Sequence, residues 1–204
     1  MNDFENEYYL VFKKFDPQTL YLTALQKSAD RRYTYKKLRF GDEPLFFENG
    51  YKEQDKARGV TRFYSKAHIN ISTLVVRDEI YEDIKGFNIR YLQLYPSVII
   101  DDDENYHEGY WTFNYYDRID CVDFDLSTVE DYDPDDDRHD VEKFVFKPDV
   151  LAAIPEEERL MFKPEKINKG YNIVHKKIVD IFNKHNVDTL RFIKVADWEY
   201  GKQF

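Results

Sequence analysis

Residues 131–142, DYDPDDDRHDVE, place Asp131, Asp133, Asp135, Asp137 and Glu142 at positions 1, 3, 5, 7 and 12 of a twelve-residue run. That is the carboxylate spacing with which an EF-hand loop surrounds calcium. Other parts of that loop are missing. Position 6 is Asp136 where a glycine would make the sharp turn, and Pro134 at position 4 restricts the residue before it. The preceding CVDFDLSTVE reads as strand and turn, where a calcium loop has a helix leading in. A second chemistry is metal-assisted hydrolysis, in which Asp137, His139 and Asp140, with Asp101 or His107, would hold a divalent ion and activate water. A chain with 40 acidic residues generates such clusters by chance, and no apolar flank holds these ligands rigid. The sequence contains no Gly-rich phosphate loop, HExxH, CxxC or GxSxG. His68, His175 and His185 stand apart, the last two in a late helical region where surface or helix-end positions are expected. The expectation is a protein that is not an enzyme, with no cofactor and no metal. A calcium-responsive interaction module and a metal-dependent hydrolase are the alternatives.

Binding asks less of these residues. Residues 101–140 carry sixteen Asp or Glu against Arg118 and Arg138, a net of −14, while the whole chain has a formal charge of −10. A field this concentrated steers a basic partner and repels nucleic acid; its ordinary alternative is a solvated acidic loop. The basic residues gather into no stripe, so nucleic acid is not an expected partner. The candidate contact residues are Asp101, Asp102 and Asp103, then Tyr132, Asp133, Asp135, Asp136, Asp137 and Asp140. Carboxylates speed encounter and aromatic rings supply hot spots. Of the aromatics nearby, Trp111 is expected in the core and Tyr132, sitting among charges, at the surface. Cys121, the only cysteine, excludes an internal disulfide and any multi-cysteine metal site; it reads as a small buried residue beside Val122. No stretch reaches the roughly 18 apolar residues of a membrane span. The amino terminus, MNDFENEYYLVFKKFD, lacks the basic-then-apolar order of a secretory signal. A cytoplasmic protein without a membrane partner is expected.

The elements that must position these residues are mostly β-type. With 204 residues, 42% of them hydrophobic and 17% aromatic, the chain can bury one sizeable core. Its 7 Gly and 7 Pro are scattered, so no linker marks a boundary. Residues 1–204 are expected to form one domain, or two closely packed lobes of about 1–100 and 101–204. YYLVFKKF reads as a strand, YTYKKLRF as a partly exposed strand, and GYKEQDKARG as a polar loop. Val76, Ile80, Ile84 and Phe87 form a helical stripe ahead of the strand-like IRYLQL of residues 89–94. Val174, Ile178, Ile181 and Phe182 do the same ahead of LRFIKV of residues 190–195. The two hexamers match class for class, which points to two similar helix-strand units. YWTFNYY fits strand or helix, and RIDCVDFD is extended. EKFVFKP and RLMFKP are short apolar runs closed by Pro, bracketing DVLAAIPEEE, where Pro155 starts or interrupts a helical turn. The fold class is therefore α+β, a mostly antiparallel sheet with a few packed helices.

Taken in order, these parts resemble a family of bacterial immunity proteins from polymorphic toxin and contact-dependent competition systems, long catalogued as a domain of unknown function. The likeness is carried by YYDRIDCVDFDLST, a short strand ending RLMFKP, the Ile-rich KKIVDIFNKHN and the closing TLRFIKV. FGDEPLFF and the Val76-to-Leu94 unit add to it, so that it spans about residues 40–198. The resemblance implies a cytoplasmic inhibitor that binds and neutralises a cognate toxin by stoichiometric protein-protein contact, with no catalytic residues of its own. The acidic insertion after LSTVE departs from the family's pattern, and partner specificity would differ there. A toxin with a basic active-site cleft would accept such a surface in place of its substrate.

Overall fold

A computed structural model describes residues 3–70 and 72–203; Met1 and Asn2, part of the amino-terminal stretch considered as a leader, lie outside them. The chain opens with a helical turn α1 (Phe4–Glu7), strands β1 (Tyr8–Lys13) and β2 (Leu22–Ala24), and α2 (Gln26–Ala29). Next come β3 (Leu45–Asn49), α3 (Lys52–Arg58), β4 (Ala67–Asn70), β5 (Thr73–Arg77) and α4 (Asp78–Ile84). A long hairpin, β6 (Leu92–Ile100) and β7 (Tyr106–Tyr115), precedes a short one, β8 (Thr128–Glu130) and β9 (Asp140–Lys143). The chain ends with α5 (Pro148–Ala152), β10 (Met161–Phe162), β11 (Ile173–His175), α6 (Lys176–Lys184) and β12 (Leu190–Lys194). This is an α+β fold, and every strand pair but β3–β6 is antiparallel.

A six-stranded sheet runs β2-β3-β6-β7-β5-β4, and a bridge between Thr19 and Phe63 brings its two edges together. A four-stranded sheet runs β10-β11-β1-β12, so the amino-terminal strand is enclosed by carboxy-terminal ones. The sheets therefore interleave in sequence, and the β6–β7 pairing runs straight across residue 100. Their shared logic explains the two matching stripes. β5 and β6 both run antiparallel to β7 between them, and α4 connects the two. β11 and β12 both run antiparallel to β1 between them, and α6 connects those. Ile80 and Ile84 of α4 meet Ile178 and Phe182 of α6 in one apolar cluster, so each helix covers its own sheet and the other helix. Each stripe begins on the strand: Val76 belongs to β5 and Val174 to β11, because the backbone is still extended at Arg77 and His175.

Three local expectations are corrected. Residues 33–35 of YTYKKLRF form a 3-10 turn, entered through Arg32 at φ 49°, with Tyr33 and Leu38 buried against the inner face of the six-stranded sheet. GYKEQDKARG contains α3, which is closed by Gly59 at φ 65°, a left-handed cap that suits glycine. Trp111 is half-buried, stacked on Tyr81 with ring centroids 3.7 Å apart and donating from Nε1 to Asp78. YWTFNYY lies within β7 up to Tyr115, and Pro155 separates α5 from a 3-10 turn at Glu156–Arg159. Cys121 is buried, and burial pushes its thiol pKa up. No helix among the described residues is long and apolar enough to cross a membrane.

Candidate functional site

The acidic residues occupy two separate places, the turn between β6 and β7 and the loop between β8 and β9. No hydrogen bond or ion pair joins them among the described residues.

At the β6–β7 turn, Asp101 accepts from the backbone N–H groups of Asp103 and Asn105, at 2.9 and 2.8 Å, and from the Asn105 side chain. His107 Nε2 lies 2.8 Å from its other oxygen. Burial opposes the Asp101 charge, but the hydrogen bonds from His107, Asn105 and Asp103 outweigh it and bring the carboxyl pKa down to about 2. Asp102 accepts from Asn49 at 3.2 Å; Asn49 also donates to the buried Asp55 at 2.8 Å. Arg62 grips Asp55 with two bonds, Nε at 2.7 Å and Nη2 at 2.6 Å, and holds its carboxyl below the usual range. Lys52 of α3 bonds Glu104. The polar residues of 49–62 thus staple α3 to this turn, which leaves Asp103 as an exposed carboxylate without a partner among the described residues.

The β8–β9 loop is built otherwise. Residues 131–138 are all exposed. Asp133 shapes the turn by accepting the Asp135 N–H at 2.9 Å, while the carboxylates of Asp135, Asp136 and Asp137 take part in no ion pair or hydrogen bond among the described residues. Aromatic rings fix the base of the loop. Tyr132, 45% exposed, lies over Phe124 and His139 at 6.0 and 5.1 Å, and Phe124 meets His139 at 4.6 Å. His139 is held by its backbone, donating to Lys166 and accepting from Asn168. Asp140 is already engaged by Asn168 at 2.9 Å and Lys169 at 3.6 Å. The loop therefore offers Asp133, Asp135, Asp136, Asp137 and one face of Tyr132 on a fixed base.

The calcium-loop spacing is flanked by strands in place of helices, and its left-handed residue is Asp131 at φ 45°, position 1 in place of position 6. Among the described residues no group of three or more His, Cys, Asp or Glu side chains is arranged to hold a metal ion. The hydrolytic constellation is not brought together either: Asp101 and His107 belong to the β6–β7 turn, while His139 packs between rings. His175 caps the start of α6, its Nδ1 accepting the Lys177 N–H, and His185 at the other end pairs with Asp83, tying α6 to α4. The sequence singled out the acidic run and missed what anchors it. Phe124, two residues after a buried valine, carried no signal that it would underlie Tyr132. The Asn49–Asp55–Arg62 network was hidden in a stretch that reads as solvated polar chain. Compared with known proteins, the chain matches no family model and no curated protein.

Proposed function

We propose that this chain is a cytoplasmic immunity protein that binds a cognate bacterial toxin and blocks it by stoichiometric contact, with the β8–β9 loop as the principal contact. The observation that carries the proposal is the set of exposed carboxylates at Asp135, Asp136 and Asp137, uncommitted to any partner among the described residues, on a base fixed by Phe124, Tyr132 and His139. A partner meets them without first breaking an ion pair, and little conformational freedom is lost on binding because the loop base is already set. Unscreened carboxylates raise the encounter rate with a basic cleft, and Tyr132 supplies the apolar contact that slows release. Asp103 lies on a different hairpin and contributes only to the wider field.

The test is capture by the tagged chain from lysate of its own source cells, with toxin expression induced by competitor contact. The proposal expects one polypeptide at fixed stoichiometry, weakened by high-salt washes, whose toxicity on expression in a naive host is abolished by co-expression of this chain. Confirmed toxin expression with no such partner contradicts it.

A further inference from the structure

Lys163, directly after β10, is the only buried lysine among the described residues, with 5% of its surface exposed. Its Nζ makes no hydrogen bond or ion pair among the described residues and stands 5.1 Å from the centre of the buried Tyr115 ring. The Tyr115 hydroxyl is fully enclosed, whereas the Lys163 Nζ is not, so a molecule the size of water reaches the amine. Arg118 is its neighbour by register. Ile119 bridges Pro164 in parallel, its N–H donating to the Lys163 carbonyl at 3.0 Å and its carbonyl accepting the Glu165 N–H at 2.9 Å. Residues 118 and 163 therefore stand side by side with their side chains on one face. The Arg118 guanidinium has no hydrogen bond or ion pair among the described residues either. Acids close by in the chain are engaged elsewhere: Asp120 is held by Lys147 at 2.8 Å and Glu158 by Arg90 at 2.7 Å. Burial first, and Arg118 second, bring the Lys163 pKa down to about 7, and no carboxylate acts against them. Two neighbouring cations, one of them enclosed, are a liability that a methionine at 163 would avoid.

Three features narrow the chemistry. An amine that is partly unprotonated near neutral pH is a nucleophile. The small opening over it admits only a small reagent, and the apolar Tyr115 face favours an uncharged one. The product has to carry negative charge, because Arg118 lacks a counter-ion. An aldehyde would leave a neutral or cationic imine and an acyl donor a neutral amide, whereas carbon dioxide leaves an anion. We propose that Lys163 is a carbamate-forming site for carbon dioxide, at which the modified side chain pairs with Arg118. The amine lone pair forms the new N–C bond, one C=O π pair moves onto its oxygen, and one N–H proton passes to solvent. Nothing is oxidised or reduced. Modification turns a like-charged pair at the Ile119–Pro164 junction into an ion pair, so carbon dioxide stabilises the junction. It does so whether or not a toxin is the partner of the β8–β9 loop.

The test is incubation of the full chain with isotope-labelled bicarbonate at slightly alkaline pH, alkylation of any carbamate with triethyloxonium, and mass spectrometry of the resulting peptides. A labelled adduct on Lys163 is expected, at least roughly tenfold more abundant than on exposed lysines, whose amines are almost wholly protonated at that pH. Arg118→Leu keeps the amine but removes the counter-ion, and should lower the Lys163 adduct roughly fivefold or more. Bicarbonate should raise the melting temperature of the parent relative to chloride at equal ionic strength. Lys163→Met should melt above the bicarbonate-free parent and show no bicarbonate response. Absence of a Lys163 adduct overturns the proposal, as does one no more abundant than on exposed lysines or one undiminished by Arg118→Leu. A bicarbonate response that survives in Lys163→Met also overturns it, since the stabilisation would then arise elsewhere.

Discussion

In the turn between β6 and β7, Asp101 accepts hydrogen bonds from Asp103, Asn105 and His107, and Asp102 is drawn into the network of Asn49, Asp55 and Arg62. In the loop between β8 and β9, Asp135, Asp136 and Asp137 accept nothing among the described residues. Both segments contribute to the same net of −14 in the sequence, yet one uses its carboxylates to hold the chain and the other leaves them for solvent or a partner. A carboxylate's role depends on whether donors meet it, and formal charge alone overstates what is available for recognition.

The contrast makes graded predictions. Asp55→Ala is the largest: it leaves Arg62 and the buried Asn49 without their carboxylate, and chemical denaturation should show a loss of about 3 kcal/mol. A loss well under 1 kcal/mol would mean that α3 is not stapled to the turn. Asp101→Asn comes next, at about 1–2 kcal/mol near neutral pH. Because folding brings the Asp101 pKa down to about 2 from an ordinary 3.8, its contribution is full above the ordinary value and is lost as pH falls between the two. The parent should therefore lose stability across pH 4 to 2 by more than the Asn variant does; parallel acid titrations would break the link. Tyr132→Ala removes ring contacts with Phe124 and His139 and should cost about 1 kcal/mol by thermal denaturation. Smallest is the joint reversal of Asp135, Asp136 and Asp137 to Lys, which spares the turn-forming Asp133 and is expected to leave stability within about 0.5 kcal/mol of the parent. A larger loss would put these residues in the same class as Asp101.

Periodicity made some of this legible in the sequence. Ile80 with Ile84, and Ile178 with Phe182, mark two buried helix faces because a helix on a sheet must hide a stripe. LRFIKV marks β12, but of IRYLQL only residues 92–94 belong to β6, because Tyr91 takes a left-handed backbone at φ 62° and the strand starts after it. Strand pairing order is another matter: that β1 slots between β11 and β12, and β7 between β5 and β6, depends on contacts far apart in sequence. The polar stretch 52–58 became a helix because Asp55 is buried against Arg62 and Asn49, a tertiary contact that no local pattern announces. The 3-10 turn at 33–35 defeated an alternating aromatic pattern because Tyr33 and Leu38 fill the inner face of the larger sheet. Of the candidate site, the acidic run and the exposure of Tyr132 could be read directly; which carboxylates stay uncommitted could not, since that depends on the donors the fold brings to each.

The most direct test of the central claim is the association rate of the captured toxin with the parent chain and with the variant charge-reversed at Asp135, Asp136 and Asp137, measured across a range of salt concentrations. The account predicts that the parent associates at least about tenfold faster at low salt, that the difference shrinks as salt rises, and that both proteins melt alike. Equal rates with equal salt dependence would contradict it and take the β8–β9 loop out of the interface.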